Sequence, residues 1–439
     1  MEENHLERSI GLFSALATVM GTVIGAGVFF KVSSVVAANY SASYTIIAWV
    51  LGGILTICGG LTVAELAAAI PRTGGALKYL EYAYGKPMGF LMGWAQLLIY
   101  YPANIAALSI IFGTQFVNLF ALPHGWLVPI AVICAASLTL INFLGAKVGG
   151  RVQSVALIVK LIPIALIVIV GLMVPSHVNV VWWPVQPGHQ LSPITAFSSG
   201  LLATMFAYDG WISIGNVAGE MKNPKKDLPR AIVFGLTGIM IIYTLINVVF
   251  LKMLPIDQIA GNQNAASEAA IRLFGQFGGK LVTIGILISV YGAINGYTMT
   301  GMRVPYALAT ERSLPFSGWL SKLSKTNVPS HAGLLQFGIA FIMMLMGSFD
   351  MLTDMLVFVM WIFNCLLFIE VFILRHRESE LERPYKVPWY PVIPFIALLG
   401  GVFILITTLI TEFNLAMVGI LLTLIGIPVY VIMQRRNRK

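Results

Sequence analysis

Twelve stretches of this chain are apolar over lengths that a soluble fold does not need: 11–39, 43–70, 88–120, 125–147, 152–174, 194–218, 230–254, 279–309, 332–348, 351–374, 390–411 and 414–433. A helix of roughly 20 residues crosses the ~30 Å hydrocarbon layer of a bilayer, and even the shortest stretch comes near that length. Hydrocarbon offers no hydrogen bonds to a backbone, so each segment has to satisfy its own as a helix. The connections are short, which leaves no room for a separate soluble unit. The expected fold is therefore an all-α integral membrane protein, a single domain over 1–439 with 12 transmembrane helices. Composition agrees: 58% of the 439 residues are hydrophobic and only 10% are charged, against about 25% charged in soluble domains. A nucleic-acid-binding domain, a disulfide-stapled scaffold and a disordered chain are all excluded.

Charge placement gives the orientation. With the N-terminus set inside, twenty-one of the 27 lysines and arginines fall on the inner side. Four (Lys31, Lys252, Arg272 and Lys280) fall outside, and two (Lys160 and Arg303) fall within spans. Basic residues accumulate on the cytoplasmic side of membrane proteins, so both termini are expected there. No cleavable leader is expected from MEENHLERS, whose charge is mixed. The three cysteines, Cys58, Cys134 and Cys365, lie within spans with no metal-ligand spacing, so neither a metal nor a cofactor is expected. The segment 71–87, PRTGGALKYLEYAYGKP, reads as an amphipathic helix along the interface.

Two spans are weakened at corresponding places. The first contains GTVIGAGVF (21–29), with glycines at 21, 25 and 27; the sixth contains Phe206-Ala207-Tyr208-Asp209-Gly210. Glycine destabilises a helix interior by roughly 1 kcal/mol, and an intramembrane carboxylate by ~2.5–3.5 kcal/mol on insertion scales. The sixth comes five spans after the first, an odd number, so it enters from the opposite face. Interrupted helices in two inverted halves point to a transporter with its binding site at the break. Close packing of a neighbouring helix is the alternative use of Gly25 and Gly27.

An interrupted helix exposes N–H groups at one end and C=O groups at the other. The first suit a carboxylate and the second an ammonium, so two antiparallel breaks can grip a zwitterion. The expected carboxylate site is the amides of Gly25, Ala26 and Gly27 with the Thr22 hydroxyl. The expected ammonium site is the carbonyls around Thr22, Val23, Phe206 and Ala207, with Ile24 inside the same stretch. Lys160 lies nine residues past Arg151, about 13 Å into its span at 1.5 Å per residue. It reads as a fixed ammonium standing where a sodium-coupled carrier would hold its ion; snorkelling and a proton-coupled role are the alternatives. Asp209 has three readings: contact to the substrate amine, acceptance of a cationic side chain, or a protonated helix-stabilising group. Phe206 reads as a gate or as an ordinary core aromatic. Arg303, Glu370 and Glu65 lie near inner ends and read as snorkelling or locally paired groups. Tyr243 and Ser289 are weaker polar candidates.

These residues carry a resemblance. GTVIGAGVF (21–29), AELAAAIPRTGG (64–75), FAYDGWISIGNVAGEMKNPKKDLPRAI (206–232) and GAINGYTMTGMRVPYALATERSLP (292–315) occur in this order across nearly the whole chain. In this the chain resembles the amino acid–polyamine–organocation superfamily, and within it the L-type amino acid transporter group, bacterial exchangers of serine, threonine, alanine and cysteine included. The resemblance implies a 5+5 inverted repeat (11–174 and 194–374) plus two C-terminal helices (390–433), with helices 1 and 6 unwound at mid-membrane. It implies sodium-independent antiport of small neutral L-amino acids by alternating access in the plasma membrane. By motif, Thr22 to Gly27 with Phe206, Ala207, Tyr208 and Asp209 form the substrate site, with Phe206 the gating aromatic. Lys160 becomes the lysine that links Gly21 to helix 8, where Ser289 is the expected partner and Tyr243 a seventh-helix match. Eukaryotic relatives carry a cysteine between helices 3 and 4 that tethers a heavy chain; Ala121–Gly125 has none, so a monomer without that subunit is expected. Aspartate at 209, where neutral-selective relatives have glycine, leaves cationic substrates open. The rival transport reading is a proton-coupled amino acid symporter. An enzyme is not expected, because the six histidines lie in loops or tails with no nucleophile constellation.

Overall fold

The computed structural model describes residues 11–70, 75–212 and 222–437, and among them every regular element is a helix. Up to residue 174 the helices are α1 (Leu12–Val23), α2 (Gly27–Asn39), α3 (Ala42–Ala69), α4 (Ala76–Tyr84), α5 (Lys86–Ala95), α6 (Tyr101–Leu119), α7 (Leu127–Phe143) and α8 (Ala146–Met173). After them come α9 (Pro193–Ala207), α10 (Pro224–Met253), α11 (Ile256–Ile259), α12 (Ala265–Gly301), α13 (Arg303–Thr310), α14 (Ser317–Leu320), α15 (Ser330–Met346) and α16 (Phe349–Arg377). The chain ends with α17 (Val392–Thr411), α18 (Phe413–Leu424) and α19 (Gly426–Asn437). Among the described residues, eight helices are long and apolar enough to cross a membrane, and four shorter apolar ones accompany them: Gly27–Asn39, Ile158–Met173, Pro193–Ala207 and Ser330–Met346.

Local chemistry places the helix ends. Tyr40 adopts a left-handed conformation that stops α2, and Ser41 then accepts the Tyr44 amide at 3.5 Å to start α3. The Asn39 side chain bonds to the Val35 carbonyl, the Ser41 amide and the Thr45 hydroxyl, tying the two helices at their corner. Ser348 caps α16 in the same way, through the Met351 amide. Thr56 and Thr62 turn their buried hydroxyls back onto carbonyls of their own helix, at Gly52 and Cys58, so these two hydroxyls are satisfied. Two boundaries differ from the hydropathy reading. The helix expected over 279–309 starts earlier, at Ala265, because Gly275 takes φ 72 and ψ 178 and joins two helical pieces at an angle. It also ends sooner, at Gly301, where Met302 separates it from α13.

Lipid tails do not drive apolar helices together, so contact depends on small residues that let backbones approach. A Cβ at Gly52 would meet the Thr204 hydroxyl at 2.6 Å, which sets how closely α3 lies on α9. A Cβ at Gly292 would overlap Ala156, and this pair seats α12 on α8. The second contact joins two helices that line the cavity described below.

A buried ion network joins α3 to the far end of α16. Glu65, 2% exposed, accepts Arg375 Nε at 2.8 Å and Nη2 at 2.6 Å, the Val387 amide at 2.7 Å, and lies 3.5 Å from Arg383 Nε. The Arg375 guanidinium also lies 3.8 Å over the Tyr390 ring. Glu65 is thus paired across 310 positions of sequence and not with a near neighbour. Glu370, by contrast, is fully buried, and neither carboxylate oxygen has a hydrogen-bond partner, so it neither snorkels nor pairs. Removing one member of a buried ion cluster typically destabilises by about 3–5 kcal/mol, because the remaining charges are left uncompensated. Glu65→Gln should therefore lower the melting temperature of the detergent-solubilised protein by several degrees, read by thermal-shift fluorescence. A melting curve that coincides with the unsubstituted protein would show that the network carries no stability.

Candidate functional site

The helical path of the first apolar stretch stops at Val23. Ile24 takes ψ 98, outside the helical range, and α2 restarts at Gly27. Gly27 is required there by packing: a Cβ would lie 2.6 Å from Ala207 Cα and 2.9 Å from its Cβ. The start of α2 and the end of α9 therefore touch backbone to backbone. After Ala207, Tyr208 closes α9 through its amide to the Thr204 carbonyl at 3.1 Å, and Gly210 follows with φ 99. Residues 213–221 lie outside the described residues, and so does any helix expected over the rest of 206–218.

Around this contact is a cavity of about 460 Å³. Gly21 and the segment 23–27 form one wall, and Phe206, Ala207, Asp209 and Gly210 form a second. Tyr100, Tyr101 and Leu108 come from the third apolar stretch, Ala156 and Lys160 from α8, and residues 289–300 from α12. Of the sequence candidates, the structure thus gathers Gly21, Val23, Ile24, Gly25, Ala26, Gly27, Lys160, Phe206, Ala207, Asp209 and Ser289 around one space. The Thr22 side chain lies outside what the structure describes. Tyr208 is turned away from the cavity. It is 1% exposed, donates to the Trp49 carbonyl at 2.8 Å and packs against Trp49 and Tyr243. Tyr243 stands behind the break, its hydroxyl 3.0 Å from the Val23 carbonyl and 3.1 Å from that of Ala207. A single hydroxyl thus spans the two interrupted segments.

The Lys160 ammonium, 6% exposed, donates to the Gly21 carbonyl at 2.7 Å and the Ile24 carbonyl at 2.5 Å. A helix presents unpaired carbonyls and partial negative charge at its C-terminus, so a cation at the end of α1 is well placed. The expected bond from Lys160 to Ser289 is not made. Both acceptors come from the interrupted helix, and the Ser289 hydroxyl is buried with no hydrogen-bond partner although it lines the same cavity. Carbonyls exposed by the break are the stronger competitor, since two of them converge on one ammonium.

Along α2 the cavity is roofed by rings and charge. Phe206 packs edge-on against Phe349 with centroids 5.7 Å apart. The Lys31 ammonium lies 5.8 Å and 5.2 Å from those two rings, and Asp354 and Asp350 accept from it at 2.8 Å and 3.1 Å. Ser34 donates to the same Asp350 oxygen. Lys31, placed on the outer side by the sequence reading, is wholly buried, and a buried ammonium has to be paired in this way.

Sequence reasoning missed three tyrosines of the site. The Tyr100 hydroxyl donates to Asp209 Oδ2 at 2.5 Å, and the Tyr297 hydroxyl lies 3.5 Å from the same oxygen. Tyr101 packs on both, with ring centroids 5.0 Å from Tyr100 and 6.4 Å from Tyr297. An aromatic in an apolar span is unremarkable by pattern, and the π-helical turn at Gln96–Tyr100 that sets the direction of Tyr100 leaves no mark in hydropathy. The one available signal was the tandem Tyr100-Tyr101 within a span.

Comparison with known proteins matches the chain to the amino acid permease family model over residues 10–432. The chain is 43% identical over 439 residues to the serine/threonine exchanger SteT of Bacillus subtilis (strain 168), covering 99% of each. It is 29% identical to the human Asc-type amino acid transporter 1, covering 97% of this chain and 82% of that one. It is 28% identical to the mouse b(0,+)-type amino acid transporter 1, covering 94% and 85%. An interrupted helix, a lysine fixed on its carbonyls and a match spanning nearly the whole chain lead to one assignment: the protein belongs to the amino acid permease family of the amino acid–polyamine–organocation superfamily.

Proposed function

We propose that this protein is a sodium-independent antiporter of small neutral L-amino acids, of the serine, threonine, alanine and cysteine type. It works by alternating access in the plasma membrane. The observation that carries the reading is the pairing of Lys160 with the Gly21 and Ile24 carbonyls beside the amides that open α2. The fixed ammonium supplies, at the end of α1, the charge that a sodium ion would otherwise bring. The amides of Gly25, Ala26 and Gly27 then receive the substrate carboxylate, and carbonyls of the two interrupted segments receive its ammonium. Relatives whose names state serine/threonine exchange or amino acid transport support the substrate class.

In this reading the helices form twelve spans. Two inverted groups of five (11–174 and 194–374) are followed by two more spans (390–433), and both termini face the cytoplasm. Helices 1 and 6 part at mid-membrane, and Phe206 with Phe349 closes the cavity beneath the Lys31 ion pair. The carrier acts as a monomer without a disulfide-linked subunit. All three cysteines are buried, and the loop between the third and fourth spans has none.

Purified protein in liposomes preloaded with serine should take up labelled serine many-fold faster than in unloaded liposomes, with no change when sodium is replaced. Uptake into unloaded liposomes that requires an inward proton gradient would replace this reading with a proton-coupled symporter. Lys160→Ala should reduce exchange by at least about tenfold while the protein still reaches the membrane, because two carbonyls lose their only ionic donor. Exchange at near-normal rate in that variant would remove Lys160 from the mechanism.

A further inference from the structure

The cavity carries a second polar cluster that the grip on a zwitterion leaves unused. Tyr100, Asp209 and Tyr297 all line it, and both tyrosyl hydroxyls converge on Asp209 Oδ2. Tyr100 is the last residue of the π-helical turn Gln96–Tyr100. Such turns insert one residue into a helix, re-aim the side chains at that point and concentrate at functional sites. The rings of Tyr100, Tyr101 and Tyr297 pack edge-on, with centroids 5.0–6.4 Å apart, so the two hydroxyls are held in place by aromatic contacts.

We infer that this cluster reads the substrate side chain. Asp209 accepts a hydrogen bond from the hydroxyl of a serine- or threonine-class substrate, and Tyr100 and Tyr297 are positioning residues that fix the carboxylate for it. The inference rests on the exchange reading above and names the feature of the substrate that the same cavity selects. An ionised carboxyl has about four lone-pair sites, and the two tyrosyl hydroxyls meet only one of its oxygens. A substrate side-chain hydroxyl can donate to the carboxylate as well. An apolar side chain of the same shape covers the carboxylate without replacing the water it displaces, and a buried acceptor left without a donor is disfavoured.

Charge selects a hydroxyl over a cationic side chain. Among the described lining residues the ionisable pair is Lys160 and Asp209, one positive and one negative. A zwitterion with a neutral side chain adds no net charge to this wall. A dibasic amino acid whose side chain met Asp209 would leave the wall with one net positive charge, because Lys160 already balances that carboxylate, and low polarity makes the excess charge unfavourable.

Competition against labelled serine in proteoliposomes tests this with isosteric pairs, threonine against valine and serine against alanine. The unsubstituted protein should favour threonine over valine by about tenfold or more. Asp209→Ala should bring that ratio close to one. Tyr100→Phe and Tyr297→Phe keep the rings and remove one donor each. Both should reduce the ratio through apparent KM and not through kcat, Tyr100→Phe the more strongly because its bond is the shorter. If Asp209→Ala does not reach the membrane, Asp209→Asn and Tyr100→Phe give the same ratio from thermal-shift titration of purified protein with threonine and valine. A ratio that survives these substitutions, or lysine outcompeting threonine in the unsubstituted protein, overturns the inference. A protein that exchanges amino acids without telling threonine from valine sinks this inference alone, whereas one that exchanges none sinks the transport reading beneath it.

Discussion

The Lys160 ammonium at the end of α1 is the interaction on which the site depends. Breaking a helix inside an apolar environment exposes carbonyls that have no water to turn to, and each such group is destabilising by several kcal/mol if left alone. Lys160 answers two of them, Gly21 and Ile24, and Tyr243 stands within reach of Val23 and Ala207. Two side chains from α8 and α10 therefore make the interruption tolerable. The cation is tolerable for the same reason, since its hydrogens end on oxygens at the negative end of a helix.

Close backbone approach is the second condition. Gly27 lets the first turn of α2 lie directly on Ala207, and Gly292 lets α12 lie on Ala156 one turn from Lys160. A Cβ at either position would overlap the facing residue, so the walls would have to move apart and the polar groups that converge on the cavity would separate. The glycines that weaken the helices as helices are those that bring the two broken segments into register.

Much of this was legible before any coordinates. The apolar runs locate most of the helices, because hydrocarbon thickness imposes a length and because lipid excludes charge. Lys160 and Asp209 stand out by the same rule, as charges where none is affordable without a purpose, and both line the cavity. The glycines at 21, 25 and 27, taken with Asp209 in the sixth span, pointed to a weakened first span, and there α1 ends at Val23 and α2 begins at Gly27. What stayed hidden has common physical causes. Lys31 pairs with Asp354 across 323 positions of sequence, and no local pattern records a partner so distant. Tyr100 owes its direction to a single π-helical turn, a change of about one residue that hydropathy does not register. Tyr208 carries the same polar handle as its neighbours and lies in the same motif, yet the turn after Ala207 sends it into the core toward Trp49.

Length, hydrophobicity and the cost of a charge in lipid are properties of each segment by itself, so the sequence alone determined that this chain is a bundle of apolar helices with two weakened ones and a buried lysine. Which acceptors that lysine takes, which tyrosines meet Asp209 and which residues seal the cavity depend on where separate helices come to rest against each other. Those positions follow from the fit of glycines to facing backbones and of hydroxyls to single oxygens over distances of a few ångströms. Such fits exist only after the helices have packed, and the tertiary structure decided them.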